Sequence, residues 1–496
     1  MYLVIFGTVV LALIIYLILK PHLGELRYIP EPPRWPLLTY NTDFMYAKDK
    51  LALWIKWAKV FKDGVFKMNY PRFGYPGYHV YITKSEFVKQ MFGNTKNFTK
   101  SKGRKILFPL MGDGILIAEG KDNAYQKRLL LKAFTPDHVK TYIPAMNVHA
   151  KRLIQLWNSE IDGAKEGKNI ALQNDFSNLV FDIFCDTAFG HNYDSLSHQS
   201  DIVRIFKEQM DTVSDLRNRI LVNVFPFLQH LPFFSGLKIA KKNKERCQKI
   251  VEELVLKKKE LLSKSDNPDK HNDLLSMMIK AHDDETKTGF TDKLVRDNIF
   301  TLMVASFETT GAALPWVMYT LAMHPEEQKL ARSEIAKVIE GKDDIEPADI
   351  SNMPYLSACI KEAMRLHTPV PLVCRVAKQA TEIGGYKIPA GQAIWSLLLA
   401  VHRQEEIYPE PEKFRPERFM SGAPSIPASY VTFGYGPYNC IGQHFAMMEM
   451  KVLVAQLLRK FDFLVDPEFR KYDCSSTVTI KPRRDLTLRL VPIDSQ

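Results

Sequence analysis

The chain has 496 residues, 46% of them hydrophobic and 25% charged. That is enough for two or three ordinary domains or one large one, and it excludes a disordered or fibrous protein. The six cysteines are scattered with no CxxC pair, which argues against a disulfide framework or a zinc module and suits a reducing compartment. The net charge of +11 comes in short Lys/Arg clusters without an aromatic-basic motif, so an acidic protein partner or an anionic membrane surface fits better than nucleic acid.

The stretch Tyr2–Leu19, "YLVIFGTVVLALIIYLIL", carries no charge. At about 1.5 Å per residue it would span roughly 27 Å, close to the thickness of a bilayer core. A cleaved signal peptide is the competing reading, but no basic region precedes the run and no small-residue cleavage site follows it. Residues 1–20 are therefore expected to be a single-pass transmembrane anchor. Lys20, Arg27 and Arg34 follow it, which places the body on the cytosolic side. Four prolines in "YIPEPPRWPLL", Tyr28–Leu38, mark residues 21–38 as a stiff hinge. Residues 39–496 are expected to form one domain, mainly α with small β-sheets.

Within that domain, "YHVYITK" at Tyr78–Lys84 alternates like a strand. From Asp122 to Arg365 the pattern is mostly helical, broken by a polar loop at Ser263–Asp273. Between helices, "FPFLQHLPFF" at Phe225–Phe234 is either a core loop or an apolar loop that dips into the membrane. The segment "ASFETTG", Ala305–Gly311, sets Glu308 beside Thr309 in an apolar helical run, and a buried carboxylate there is costly unless used or paired. Thr309 can also bond back to a carbonyl of its own helix. Further on, Glu362 and Arg365 lie three apart on a helix and can ion-pair on one face. "TEIGGYKIPAGQAIW" reads as short strands joined by turns, and "STVTIKPRRDLTLRL" as a hairpin.

The most informative stretch is "FGYGPYNCIG", Phe433–Gly442. Gly434, Gly436 and Gly442 allow a tight turn and close approach to a flat ligand. A helical run starts directly after Cys440, and a thiolate at a helix N-terminus is stabilised by the free N–H groups there. A shielded thiolate of this kind is what an axial ligand to haem iron requires.

The spacing Phe433-x-x-Gly436-x-x-x-Cys440-x-Gly442 resembles the haem-binding signature of the cytochrome P450 superfamily. "ETT", Glu362-x-x-Arg365 and "FRPERF" at Phe414–Phe419 stand in that family's order. The resemblance implies the family's fold and haem b with Cys440 as its axial ligand. It implies a buried charge network of Glu362, Arg365 and Arg418 behind the cysteine loop. It also implies that Glu308 relays protons while Thr309 hydrogen-bonds dioxygen.

Two residues before the cysteine the family has Arg or His on a haem propionate; this chain has Tyr438, which donates one hydrogen bond and carries no positive charge. Arg375 matches another propionate position. Lys127, in the register of the family's Trp-x-x-x-Arg, is the expected third contact. Ser306 stands where Gly is usual in the distal helix. Phe307 is expected to point its ring toward the iron. "CIGQHFAMMEMKV" and "MGDGILIAEG", Met111–Gly120, look most like the branch that hydroxylates fatty acids and sterols. Ala305 occupies the position where some of that branch bind haem covalently, so non-covalent haem is expected.

The pocket segments, Ile106–Leu116, the Phe225 loop, Phe300–Thr309, Val370–Val373 and Thr477–Val478, are mostly apolar, which implies a lipophilic small-molecule substrate. The implied partners are NADPH–cytochrome P450 reductase, with cytochrome b5 as an accessory, on a basic face that includes Lys127, Arg128, Lys132, Lys451, Arg459 and Lys460. The implied location is the endoplasmic reticulum membrane. Two other functions compete: a haem-thiolate isomerase or dehydratase acting on a hydroperoxide, and a non-catalytic haem binder. The Glu308–Thr309 pair argues against both.

Overall fold

A computed structural model of the chain describes residues 8, 12, 15, 24–33, 47, 49–69, 78–100, 111–198, 200–214, 235–267, 271–281, 290–422, 424–469, 474–476 and 478–493. Most of the anchor, the hinge beyond Pro33 and the whole Phe225–Phe234 stretch lie outside the described residues. Among the described residues no helix is long and apolar enough to cross a membrane.

The helices used below are, in chain order, α1 (Lys50–Val60), α2 (Ser85–Gly93), α3 (Gly120–Leu130), α4 (Ile143–Ile161), α5 (Leu172–Phe189), α6 (Asp201–Ser214), α7 (Ser235–Lys264), α8 (Leu274–Lys280), α9 (Asp292–Met323), α10 (Pro325–Val338), α11 (Pro354–Leu366) and α12 (Gln443–Leu458). The central rod is α9, 32 residues long. Its start is set by Thr291, whose hydroxyl accepts from the Leu294 N–H at 3.2 Å, with Asp292 in the first turn favouring the helix dipole. Its end is set by Pro325, which pushes His324 out of helical geometry and opens α10. Residues on every side of α9 are buried, as expected of a helix wrapped by others. Its closest neighbour is α5: a Cβ at Gly311 would lie 3.1 Å from the Ser177 backbone.

The first sheet has strand order β1-β2-β8-β5-β3, with β1 at Val65–Asn69, β2 at Tyr78–Ile82, β3 at Phe98–Lys100, β5 at Leu372–Ala377 and β8 at Ala393–Leu397. Only β2 and β8 run parallel; the other pairs are antiparallel. The expected strand at Tyr78 is present, but it is buried along both faces from His79 onward, because a helical layer and the sheet's own core enclose it. Gly384 and Gly385, both at positive φ, turn β6 (Thr381–Ile383) into β7 (Tyr386–Ile388).

The expected C-terminal hairpin is built differently. β10 (Cys474–Ser476) folds onto β11 (Ile480–Pro482). The following Thr487–Pro492, β12, leaves for another sheet, between β9 (Phe461–Leu464) and β4 (Lys168–Ala171). Buried Leu488 and Leu490 find apolar partners there that a two-stranded ribbon could not supply.

Candidate functional site

The cysteine loop begins where Gly434 and Gly436 take φ of +77° and +73°. A side chain at Gly436 would bring its Cβ to 2.6 Å from the Phe92 carbonyl oxygen at the end of α2, so only glycine fits. The Cys440 N–H donates to the Phe433 carbonyl at 2.8 Å and closes the turn. Gly442 then caps α12. Lys127 on α3 points its ammonium into this turn, donating to the carbonyls of Pro437 (2.8 Å) and Asn439 (3.3 Å) and to the Asn439 side chain. The structure thus uses Lys127 as a clamp on the cysteine loop.

Cys440 is exposed, yet the chain around it is dense. An accessible side chain whose sulfur is heavily surrounded by protein is the condition of a group that lines a recess rather than the outer surface. Burial pushes the thiol up, against the Gly442 backbone hydrogen bond and the Lys127 charge, which pull it down. Ala305 on α9 is exposed in the same sense, Thr309 is half-exposed, and the buried hydroxyl of Ser306 has no partner among the described residues. A thiol at Cys440 and an accessible small residue at Ala305 are the kinds of group that a flat iron porphyrin would take.

Tyr438 contacts two cations. The Lys100 ammonium lies 4.5 Å from its ring centre and the Arg375 guanidinium 5.6 Å. Its hydroxyl accepts from the Gly120 N–H at 3.0 Å. Lys100 and Arg375 face each other across the β3–β5 pairing, and both are buried. Lys100 also donates to the carbonyls of Ile115, Leu116 and Ala118, and so fastens the 115–118 segment to the sheet. Sequence reading missed Lys100. Its only signal is its place opposite Arg375, which needs the strand register.

On α9, Thr309 donates to the Ala305 carbonyl at 2.7 Å, so the back-bond is made. Glu308 is buried and turned to the β10–β11 hairpin, accepting from the Thr479 hydroxyl at 3.0 Å and from Lys481 at 2.7 and 2.9 Å. Neither partner was anticipated. Phe307 does not face the recess: it packs edge-on against Phe181 and near Phe206, because its helical position faces α5 and α6. The structure brings together Glu362, Arg365 and Arg418. Arg365 grips Glu362 with Nε at 2.7 Å and Nη2 at 2.9 Å, and Arg418 Nε reaches Glu362 at 3.2 Å. The Arg415 N–H donates to the same carboxylate.

Residues 30–488 match the sequence pattern of the family described as Cytochrome P450. The chain is 29% identical to rat cytochrome P450 4B1 over 78% of its length and 76% of the relative's. It is also 29% identical to rat cytochrome P450 3A1, with 94% and 92% covered. It is 27% identical to a cytokinin hydroxylase of Arabidopsis thaliana, with 83% and 78% covered. The fold is similar to that of a solved cytochrome P450DA haem domain, with a TM-score of 0.79 at 22% identity, over 94% of this chain and 98% of the other. A match along nearly the whole length makes the chain a member of the cytochrome P450 family, whose monooxygenases work on haem b held by a cysteine thiolate.

Proposed function

We propose that the protein hydroxylates a lipophilic small molecule of the fatty-acid, sterol or terpenoid kind, with Cys440 as the thiolate ligand of non-covalent haem b. Electrons would come from NADPH through its reductase at the endoplasmic reticulum membrane. The observation that carries this reading is the Cys440 sulfur, open to an internal recess and held by a turn that Lys127 clamps. Bound haem would supply dioxygen activation, placing one oxygen atom in a C–H bond and leaving the other as water.

The chain's own residues divide the remaining work. Gly442 and Lys127 favour the ionised sulfur. Lys100 and Arg375, set around Tyr438, supply positive charge for the porphyrin carboxylates. Glu308 and Thr309 handle the protons. Ala305 offers no carboxylate to esterify the haem. The segments expected to line the pocket are apolar at Ile115, Leu116, Phe300, Leu372, Val373 and Val478, with 106–110 and 477 outside the described residues, and their character supports a lipophilic substrate. A relative named as a hydroxylase supports the outcome of the reaction.

The test is the spectrum of the reduced, carbon-monoxide-bound protein. The wild type shows the red-shifted band of thiolate-ligated haem, and Cys440→Ala loses it. A band that survives the substitution overturns the assignment. Spectral shifts on adding lipophilic candidates then narrow the substrate.

A further inference from the structure

Residues 113–118 form a loop whose backbone is bonded to three elements. On α9, the Asp297 carboxylate accepts from the Asp113 N–H at 2.9 Å and Asn298 Oδ1 from the Ile115 N–H at 3.0 Å. On α3, Gln126 Nε2 donates to the Asp113 carbonyl and Asn123 Nδ2 to the Ile115 carbonyl, both at 3.0 Å. Lys100 of β3 takes the carbonyls of Ile115, Leu116 and Ala118. Asn298 joins these holds to one another. It is fully buried, and its Nδ2 donates to Gln126 Oε1 and to the Leu294 carbonyl, each at 3.0 Å. Its partners fix the way its amide points, since a backbone N–H can only donate and a carbonyl can only accept. At the outer end of the loop, Lys293 bridges Asp113 at 2.6 Å and Asp297 at 3.0 Å.

Two glycines let the loop lie this close to α9. A Cβ at Gly112 would stand 2.3 Å from the Asp297 carboxylate, and one at Gly114 would stand 2.3 Å from Thr301 Oγ1 and 2.6 Å from the Asp297 carbonyl oxygen. Asp297, Thr301, Ala305 and Thr309 follow one another at intervals of four, which makes one ridge of the helix. The loop therefore rests on the ridge that goes on to carry Ala305 and Thr309, and its contact with Thr301 is one turn before Ala305. Its polar backbone is committed to α9, α3 and β3. What it has left to offer a recess is apolar: Ile115, which is buried, and Leu116, which is half-buried.

Resting on the proposed lipophilic pocket, we propose that Asn298 is a positioning residue that sets substrate specificity. By holding Ile115 it makes residues 113–118 a fixed wall of the pocket and not a gate. Retracting the wall for a wide molecule would strip the buried Asn298 amide of its partners and leave the Ile115 N–H unpaired, which is costly. The protein therefore sorts lipophilic substrates by cross-section, taking slender chains and refusing bulky groups at this point. Asn298 acts through Ile115 and Leu116 and not by touching the substrate itself.

The experiment compares the wild type with three variants. Asn298→Leu keeps the volume and loses the acceptor, Asn298→Asp keeps both, and Gly114→Ala pushes the loop off the helix. Dissociation constants are read from the Soret shift with imidazole, N-dodecylimidazole and N-tritylimidazole. The wild type prefers the dodecyl to the trityl probe by about tenfold or more, which is within what an apolar pocket achieves by shape. Asn298→Leu and Gly114→Ala narrow that gap to about threefold or less, while Asn298→Asp keeps it. Imidazole itself binds all of them alike. A wild type without the gap, or a gap that Asn298→Leu leaves unchanged, overturns the proposal. Amide hydrogen exchange reads the wall directly in the wild type. The Ile115 N–H exchanges as slowly in the free protein as with the dodecyl probe bound, and at least about fivefold faster in Asn298→Leu. An amide that exchanges freely until a probe binds marks a gate, and that result also overturns the proposal. The exchange measurement needs no haem, so a protein without the thiolate band would sink the haem assignment while the wall is still tested.

Discussion

Glu362, Arg365 and His402 show how single side chains in this protein depend on complete pairing. Glu362 and Arg365 are fully buried, and such a pair is tolerable only because each remaining donor finds an acceptor. Arg365 Nη1 donates to the His402 carbonyl at 2.7 Å. His402 Nε2 accepts from the Val431 N–H at 2.9 Å, so the ring proton sits on Nδ1 and is given to Thr368 Oγ1 at 2.7 Å. Burial, with Arg365 and Arg403 beside it, holds His402 well below the usual histidine range. The folded ring therefore stays neutral in mild acid, whereas the unfolded one takes a proton below about pH 6.5. Because the unfolded state binds more protons, this residue costs stability as pH falls below that value, by about 1.4 kcal/mol per pH unit. His402→Asn, which keeps an acceptor for Val431, should flatten the pH dependence of the urea midpoint between pH 6.5 and 5. An unchanged slope would contradict the assignment.

At the scale of the element, α9 carries a proline in its interior, Pro315. Proline has no N–H, so the carbonyl four residues back, that of Gly311, loses its helical partner. Gln173 on α5 supplies one, with Nε2 donating to the Gly311 oxygen at 3.1 Å. Gly311 itself has no Cβ to hold α5 away. The interruption of the rod and its repair thus occur at the contact of α9 with α5, one turn beyond Thr309. Gln173→Leu leaves that carbonyl unpaired and should cost about 1–3 kcal/mol, read as a lower urea midpoint. A loss too small to measure would mean that water or another donor serves the carbonyl. The motif "ASFETTG" marks the helix plainly in the sequence, but nothing near residue 311 in the chain points to residue 173.

For the whole molecule, the net charge of +11 favours long-range attraction to an acidic partner, which the proposed reductase would be. The expected basic face is only partly available for it. The Lys451 ammonium donates to the Ile350 carbonyl at 3.0 Å, and burial pushes it down to about 8. Arg459 donates to the carbonyls of Asp343 and Lys342. Lys127 serves the cysteine loop. Arg128, Lys132 and Lys460 are exposed and remain suited to a partner. Electron transfer from the reductase should slow steeply with added salt, because exposed charges are screened within about 10 Å at 0.1 M. Lys132→Ala should reduce that salt dependence and Lys451→Ala should not. Stopped-flow reduction across a salt series decides; a rate independent of ionic strength removes the basic-face reading.

What the chain's sequence determined is what short spacing can encode. Glycines at fixed offsets from Cys440 specify a turn, a proline after His324 ends a helix, and Glu362 with Arg365 share a helix face because three residues nearly complete a turn. Those local rules were enough for a mainly helical fold with small sheets and for the place of the cysteine turn. The tertiary structure alone decided which distant groups meet: Lys481 with Glu308 across 173 residues, Lys127 with the turn at Asn439 across 312, and Gln173 with Gly311 across 138. The local pattern near Lys481 suggested a longer hairpin, and the actual partition of its strands between two sheets sets that lysine on α9. The reason is physical: local backbone preference acts over a few residues, while the pairing of a buried charge is settled by whichever group the packed core brings within hydrogen-bond reach.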